Sequence, residues 1–232
     1  MIHTKKTEDL HYYLYDDSLK HNLNIVDLGL NYGSFCDELQ KFFNDKASFY
    51  GVEANKEVIN YDKKIVTDNF LISNTSGAYE KLYLNKRDTG SSSTIFKENI
   101  DDFIEVETIT LEDYYKKYNL EKKSVYILKI DIEGKEFEIL DTKLIKFLSK
   151  CTYQICIEFH DFLVQDNRFD QELNNIFKIF DENNFIKIKF SRNNGSLLFI
   201  NRNFFKLSFL DLLNIYINKY KFGIQRKLKR IL

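Results

Sequence analysis

Four apolar runs that each end in an acid constrain this chain more than any other feature of it. Ile25-Val26 ends in Asp27, Phe49 to Val52 in Glu53, Ser124 to Ile130 in Asp131-Ile132-Glu133-Gly134-Lys135-Glu136, and Ile155 to Ile157 in Glu158-Phe159-His160. Short apolar runs of this kind read as buried strands. Between them, apolar residues recur at helical spacing: Phe35, Leu39, Phe42 and Phe43, then Phe137, Leu140, Leu144, Phe147 and Leu148, then Leu173, Ile176, Phe177 and Phe180. Strands alternating with helices imply a parallel sheet covered on both faces. Such an open sheet does its chemistry just beyond the carboxyl ends of its strands. The acids therefore share one rim.

The remaining pattern fills in the architecture. Phe70 to Ser73 is expected as a third strand, Tyr79 to Leu84 and Phe103 to Ile109 as extended segments, and Asn55 and Thr110 as helix caps, the helix after Asn55 running to about Asp62. Phe185 to Phe190 and Leu197 to Ile200 flank the turn signal Asn193-Asn194-Gly195, which predicts antiparallel strands and so one reversed strand near the sheet edge. Residues 1–23 are expected as an N-terminal helical segment, on a weak pattern of Tyr12, Tyr13, Leu14, Tyr15 and Leu19. Residues 24–205 read as one domain, and 206–232 as a C-terminal helix with a basic tail.

Composition excludes some classes. No stretch approaches the roughly 18 uninterrupted apolar residues of a membrane span, and Met1 to Leu10 has no apolar leader, so a cytoplasmic protein is expected. Cys36, Cys151 and Cys156 lack paired metal-site spacing and read as buried thiols. The net charge of −1 hides an asymmetry: Leu212 to Leu232 holds six bases and no acid, which leaves 28 bases against 35 acids elsewhere. An acidic body argues against nucleic acid as a partner.

The rim itself favours a cation. Gly29 and Gly33, in Val26-Asp27-Leu28-Gly29-Leu30-Asn31-Tyr32-Gly33, permit a tight turn and close approach to a ligand, but the G-x-G-x-x-G arrangement of dinucleotide sites is missing. Glu53, at the end of the second strand, stands where a carboxylate accepts both hydroxyls of a ribose. Asp27, Glu53, Asp131, Glu133 and Glu158 together repel a pyrophosphate and suit S-adenosyl-L-methionine, which carries a sulfonium and an ammonium. An NAD-dependent oxidoreductase is the weaker reading.

The ordered set V-D-x-G-x-N-x-G, V-E-A, K-I-D-x-E-G-x-E and I-E-x-H resembles the FkbM family of S-adenosylmethionine-dependent methyltransferases over roughly Asn24 to Asn201. The resemblance implies a class I methyltransferase, Rossmann-like fold: a seven-stranded, mostly parallel sheet with one antiparallel strand and helices on both faces. It implies O-methylation of a saccharide or natural-product hydroxyl, here in polysaccharide biosynthesis on a nucleotide- or lipid-linked sugar. It places Asp27, Gly29, Asn31 and Gly33 around the amino-acid portion of the cofactor, Glu53 at the ribose, Ser73 and Asn74 near adenine, and Asp131 near the reacting methyl. Leu30 departs from the small residue the family favours at its position.

An alcohol needs a base to release its proton as it attacks. His160, with an ordinary pKa near 6.5, is the first candidate and Glu133 the second. Asp131, Glu133, Glu158 and His160 also form an oxygen-rich set suited to magnesium, though nothing in the pattern requires the metal. Ser91-Ser92-Ser93 beside Gly90 offers hydroxyls to a polyhydroxylated acceptor, and Tyr220 to Leu232 has the composition of an amphipathic helix for an anionic membrane surface. A cofactor-binding partner protein without turnover is the alternative outside enzymology.

Overall fold

The chain begins with an antiparallel hairpin, β1 (Ile2–Lys6) and β2 (Tyr12–Asp16), where a helix was expected. Its Tyr-Tyr-Leu-Tyr run favours a pleated, half-buried surface over a helix. The surrounding sheet also satisfies its backbone: Gln154 accepts from the Leu14 N–H at 2.6 Å and donates to the Leu14 carbonyl at 2.8 Å, and the Tyr126 hydroxyl donates to that same carbonyl at 2.7 Å. The computed structural model describes residues 2–18, 22–59, 64–84, 102–160, 167–191 and 193–229. The expected loop around Ser91 to Ser93 lies outside the described residues.

Further along lie β3 (Leu23–Leu28), α1 (Ser34–Phe43), β4 (Ala47–Val52), β5 (Val66–Asp68), β6 (Leu71–Ile72), β7 (Tyr79–Tyr83) and β8 (Phe103–Ile109). Then come α2 (Leu111–Lys117), α3 (Leu120–Lys123), β9 (Ile127–Ile130), α4 (Glu136–Ile139), α5 (Thr142–Cys151), β10 (Gln154–Ile157), α6 (Asn167–Glu182), β11 (Phe185–Lys189), β12 (Leu197–Asn201) and α7 (Phe209–Lys229). The main sheet has the order β11-β12-β10-β9-β3-β4-β5, with β12 antiparallel to both neighbours. This is the mostly parallel sheet with one reversed strand near its edge that the strand pattern predicts, and it has the seven strands that the family resemblance implies. Its order reverses between β3 and β9, which pair in parallel, so the loops after these two strands flank the crevice where open α/β sheets hold ligands.

Side chains alternate across the sheet. Val26, Leu128, Ile155 and Phe199 face α2, α3, α5 and α6, whereas Ile25, Ile127, Cys156 and Leu198 face α1, the hairpin and α7. All three cysteines are free and buried, as expected.

Further expectations are corrected. Phe70 to Ser73 does not supply the third strand of the main sheet: β5 does, while β6, β8 and β7 form a separate small sheet. The half-exposed Val66 to Asp68 lacks the apolar run that marks a buried strand. The helix after Gly134 is two helices, broken at Leu140-Asp141 because the Asp141 carboxylate accepts the Leu144 N–H and starts α5 anew. On α1 the inner positions belong to Phe35, Cys36, Leu39 and Phe43, and Phe42 is instead exposed against Tyr15 of the hairpin. Asn55 does cap, through its side chain and the Glu57 N–H, but within the described residues the cap starts a single 3-10 turn, Lys56–Val58. The Thr110 cap of α2 forms as predicted.

Candidate active site

At the crevice the two loops touch. A Cβ at Gly29, whose φ is +77°, would lie 1.8 Å from the carbonyl oxygen of Asp131, so only glycine lets the turn after β3 back against the loop after β9. Leu30 is accommodated by its neighbour on β4: a Cβ on Gly51 would come within 2.7 Å of the Leu30 side chain. The large residue at 30 thus pairs with an absent side chain at 51, and the turn survives. Asn31, with φ 49°, donates its backbone N–H to Glu53 Oε2 at 2.8 Å, and the Asn55 N–H binds Oε1 at 2.8 Å. Burial raises the Glu53 pKa, against these two hydrogen bonds. The Asn31 Oδ1 is buried with no hydrogen-bond partner.

The second loop is built around two buried charges. Lys129, 4% exposed, places Nζ 3.0 Å from Asp27, 3.3 Å from Asp131 and 2.9 Å from the Gly29 carbonyl. Burial opposes its charge, but the two carboxylates hold it protonated. Glu136 is fully buried and accepts the Ile132 and Gly134 N–H groups at 2.8 and 2.9 Å, one on each oxygen. It clamps the loop through the left-handed Glu133, φ 53°.

His160 sits within this cluster. Its Nδ1 is 3.2 Å from Glu136, and its Nε2 is 3.4 Å from Glu133 and 3.7 Å from Asp131. Burial would lower its pKa, yet Glu136, Glu133 and Asp131 raise it to about 9. The expected neutral base is therefore an imidazolium at pH 7, with no lone pair to receive a proton. The Glu133 and Glu158 pKa values also rise, but toward the neutral form, as burial, with help from neighbouring carboxylates and against His160, pushes each up to about 7. Burial also disfavours the Asp131 anion, but Lys129 and the flanking His11 and His160 outweigh it and hold that carboxyl well below the usual range.

A cavity of about 250 Å³ opens over these loops. Gly29, Asn31, Glu53, Asp131, Glu133 and Glu158 line it. Of the other expected site residues, Asp27 lies beneath it, fully buried on Lys129, and Gly33 caps α1. His160 stands behind Asp131 and Glu133. Ser73 and Asn74, expected near adenine, line a separate cavity with Thr110 and Asp141, since Ser73 turns toward Glu80 and Glu138. Phe70, Leu71 and Ile72 are the residues of that segment at the main cavity. Asp9, His11 and Lys129 line it without having been predicted. A lysine inside the apolar run Ser124 to Ile130 was a signal, because a buried ammonium must find carboxylates. Two overlapping trios, His11-Asp131-Glu158 and Asp131-Glu133-His160, hold their ligand atoms within 4.8 Å of one another.

Comparison with known proteins adds one finding. A family model described as the methyltransferase FkbM domain matches residues 27–187, a span that begins at the Asp27 turn and runs past His160 into β11. No curated protein matches the chain.

Proposed function

The chain belongs to the FkbM methyltransferase family, and from that premise we propose that it is an S-adenosyl-L-methionine-dependent O-methyltransferase whose acceptor is a saccharide hydroxyl. The observation that carries the cofactor is the Glu53–Asn31 pair. Each Glu53 oxygen takes one backbone N–H and keeps further acceptor capacity, which suits the two ribose hydroxyls. Beside it, the buried and unpartnered Asn31 Oδ1 suits an ammonium donor. Asp9, Glu53, Asp131, Glu133 and Glu158 outnumber Lys129 and His11 around the cavity, a balance that favours a cationic ligand over a pyrophosphate.

When bound, S-adenosyl-L-methionine supplies an electrophilic methyl group for attack by the acceptor oxygen. Glu133 receives the proton of that hydroxyl on a carboxylate oxygen, its pKa near 7 leaving it about half ionised at neutral pH. His160, held by Glu136, is a positioning residue: its imidazolium faces Glu133 and Asp131 and keeps both oriented. Lys129 and His160 already balance much of the negative charge of the cluster, so we assign it to proton handling rather than to a magnesium ion. The acceptor class rests on the family resemblance and on a rim rich in hydrogen-bond acceptors, which suits a polyol.

Titration calorimetry of S-adenosyl-L-methionine against wild type and Glu53→Gln tests the cofactor, with binding at least about tenfold weaker expected in the variant. Equal affinity removes the ribose assignment. Transfer of labelled methyl into a panel of nucleotide sugars and lipid-linked glycans tests the acceptor. Tight binding with transfer to no hydroxyl leaves the non-catalytic partner protein in its place.

A further inference from the structure

α7 has two apolar faces, and only one is covered. Ile215 is buried, and the Phe222 ring lies 5.5 Å from that of Tyr12, so one side of the helix rests on the N-terminal hairpin. On the other side Phe209, Leu213, Tyr216, Ile217, Tyr220 and Ile224 recur at three- and four-residue spacing and face solvent, from 41% exposed at Tyr216 to 78% at Phe209. With Leu210, seven of the twelve exposed large hydrophobic residues among those described lie on this one helix. Scattered exposed residues need no explanation, but a continuous stripe of this kind marks a binding surface. The inner face already holds the helix in place, so folding does not require the outer one.

Charge identifies the occupant. From Leu212 onward the sequence has six bases and no acid. Lys221 and Lys227 are exposed, and Lys219 Nζ lies 5.5 Å from the Tyr216 ring. Asp211, in the first turn, is taken up by the N–H and hydroxyl of Ser208. A second copy packed on this stripe would set one acid on each helix, Asp211, against the six bases that follow it, and in a parallel pair would bring bases toward bases. An anionic lipid surface answers the bases and receives the apolar stripe in one step. Tyrosines suit the headgroup level of such a surface. Among the described residues no helix is long and apolar enough to cross a membrane, in keeping with a helix that lies flat.

We propose that α7 is an in-plane anchor that seats its outer stripe in an anionic lipid surface. This inference stands apart from the methyl-transfer reading. Since α7 packs on the hairpin whose turn carries Asp9 and His11 of the cavity, docking holds the cavity at a fixed attitude to the bilayer.

Flotation of the whole protein with vesicles tests the anchor, using phosphatidylcholine alone and phosphatidylcholine mixed with phosphatidylglycerol. Wild type should float with the mixed vesicles and be released by salt. The exposed-site variant Leu213→Ser/Ile217→Ser/Tyr220→Ser should bind them about tenfold or more weakly, with circular dichroism reporting an intact fold. Lys219→Gln/Lys221→Gln/Lys227→Gln should lose the preference for the anionic lipid. Wild type that floats with neither vesicle, or a serine variant that floats as well as wild type, overturns the proposal. A wild-type dimer that the serine variant turns into a monomer, with no flotation of either, assigns the stripe to a second copy instead.

Discussion

At Lys129 one ammonium stands between two carboxylates, Asp27 at 3.0 Å and Asp131 at 3.3 Å. Lys129→Met keeps the length of the side chain and removes its charge, leaving the fully buried Asp27 without its ion-pair partner and Asp131 with only His11 and His160 beside it. Breaking a buried pair in this way costs roughly 3–5 kcal/mol, so denaturant unfolding should show a loss of that size, and a loss under about 1 kcal/mol would refute the assignment. Glu133 gives the kinetic counterpart. Glu133→Gln should lower kcat by about 10²–10⁴-fold, whereas Glu158→Gln retains most of the rate. In wild type the rate should rise with pH through about 7 as Glu133 ionises and fall again near 9 as His160 loses its proton. A profile flat from about pH 6 to 8 would exclude Glu133 as the base. Apart from Asp9, the acids of this site were legible in the sequence because each follows a strand-forming run and so inherits a known place on the rim. The state of His160 was not, because it depends on Glu136 and Glu133, 24 and 27 positions earlier in the chain, and on the depth at which all three are buried.

The loop between β9 and α4 shows how an element is held by one side chain. Glu136 accepts the N–H of Ile132 and of Gly134, and these bonds fix the turn on which Asp131 and Glu133 are mounted. In Glu136→Gln one acceptor oxygen becomes an amide donor facing an N–H, so one buried bond is lost and His160 loses one of its three carboxylate neighbours. The expected cost is about 1–3 kcal/mol, with faster amide exchange confined to Ile132 and Gly134 at first. Protection at both amides equal to wild type would count against the clamp. The motif Asp131 to Glu136 was readable as a strand-to-helix crossing, but not the division of labour within it. The N-terminal hairpin marks a different limit. Its turn carries Asp9 and His11 into the cavity, and its backbone is satisfied by Gln154 and Tyr126, residues more than a hundred positions away. Periodicity within residues 1–23 holds no trace of those partners.

For the molecule as a whole, the cluster makes stability depend on pH in an unusual direction. Most proteins gain stability as pH rises from about 4 to 7, because paired carboxylates have depressed pKa values. Here Asp131 behaves so, and its contribution is lost only as pH falls through and below the ordinary carboxylate range. Glu133 and Glu158 are opposite: near 7 when folded and 4.5 when the chain is unfolded, they bind more protons folded than unfolded across that interval, so stability falls as pH rises through it. His160, near 9 folded against 6.5 unfolded, stabilises fully below 6.5 and loses that contribution as pH rises to 9. The His160 shift alone corresponds to about 3 kcal/mol, a large share of the ~5–15 kcal/mol by which domains are stable. The unfolding free energy should therefore peak at about pH 4, where the gain from Asp131 meets the loss from Glu133 and Glu158, and decline from there toward pH 9. Glu133→Gln/Glu158→Gln should flatten the decline below pH 7 and leave a smaller limb above it, which His160 still carries through Glu136 and Asp131. Stability that climbs steadily from about pH 5 to 9 in wild type would mean that the cluster is not the tightly buried, proton-sharing unit that its distances describe.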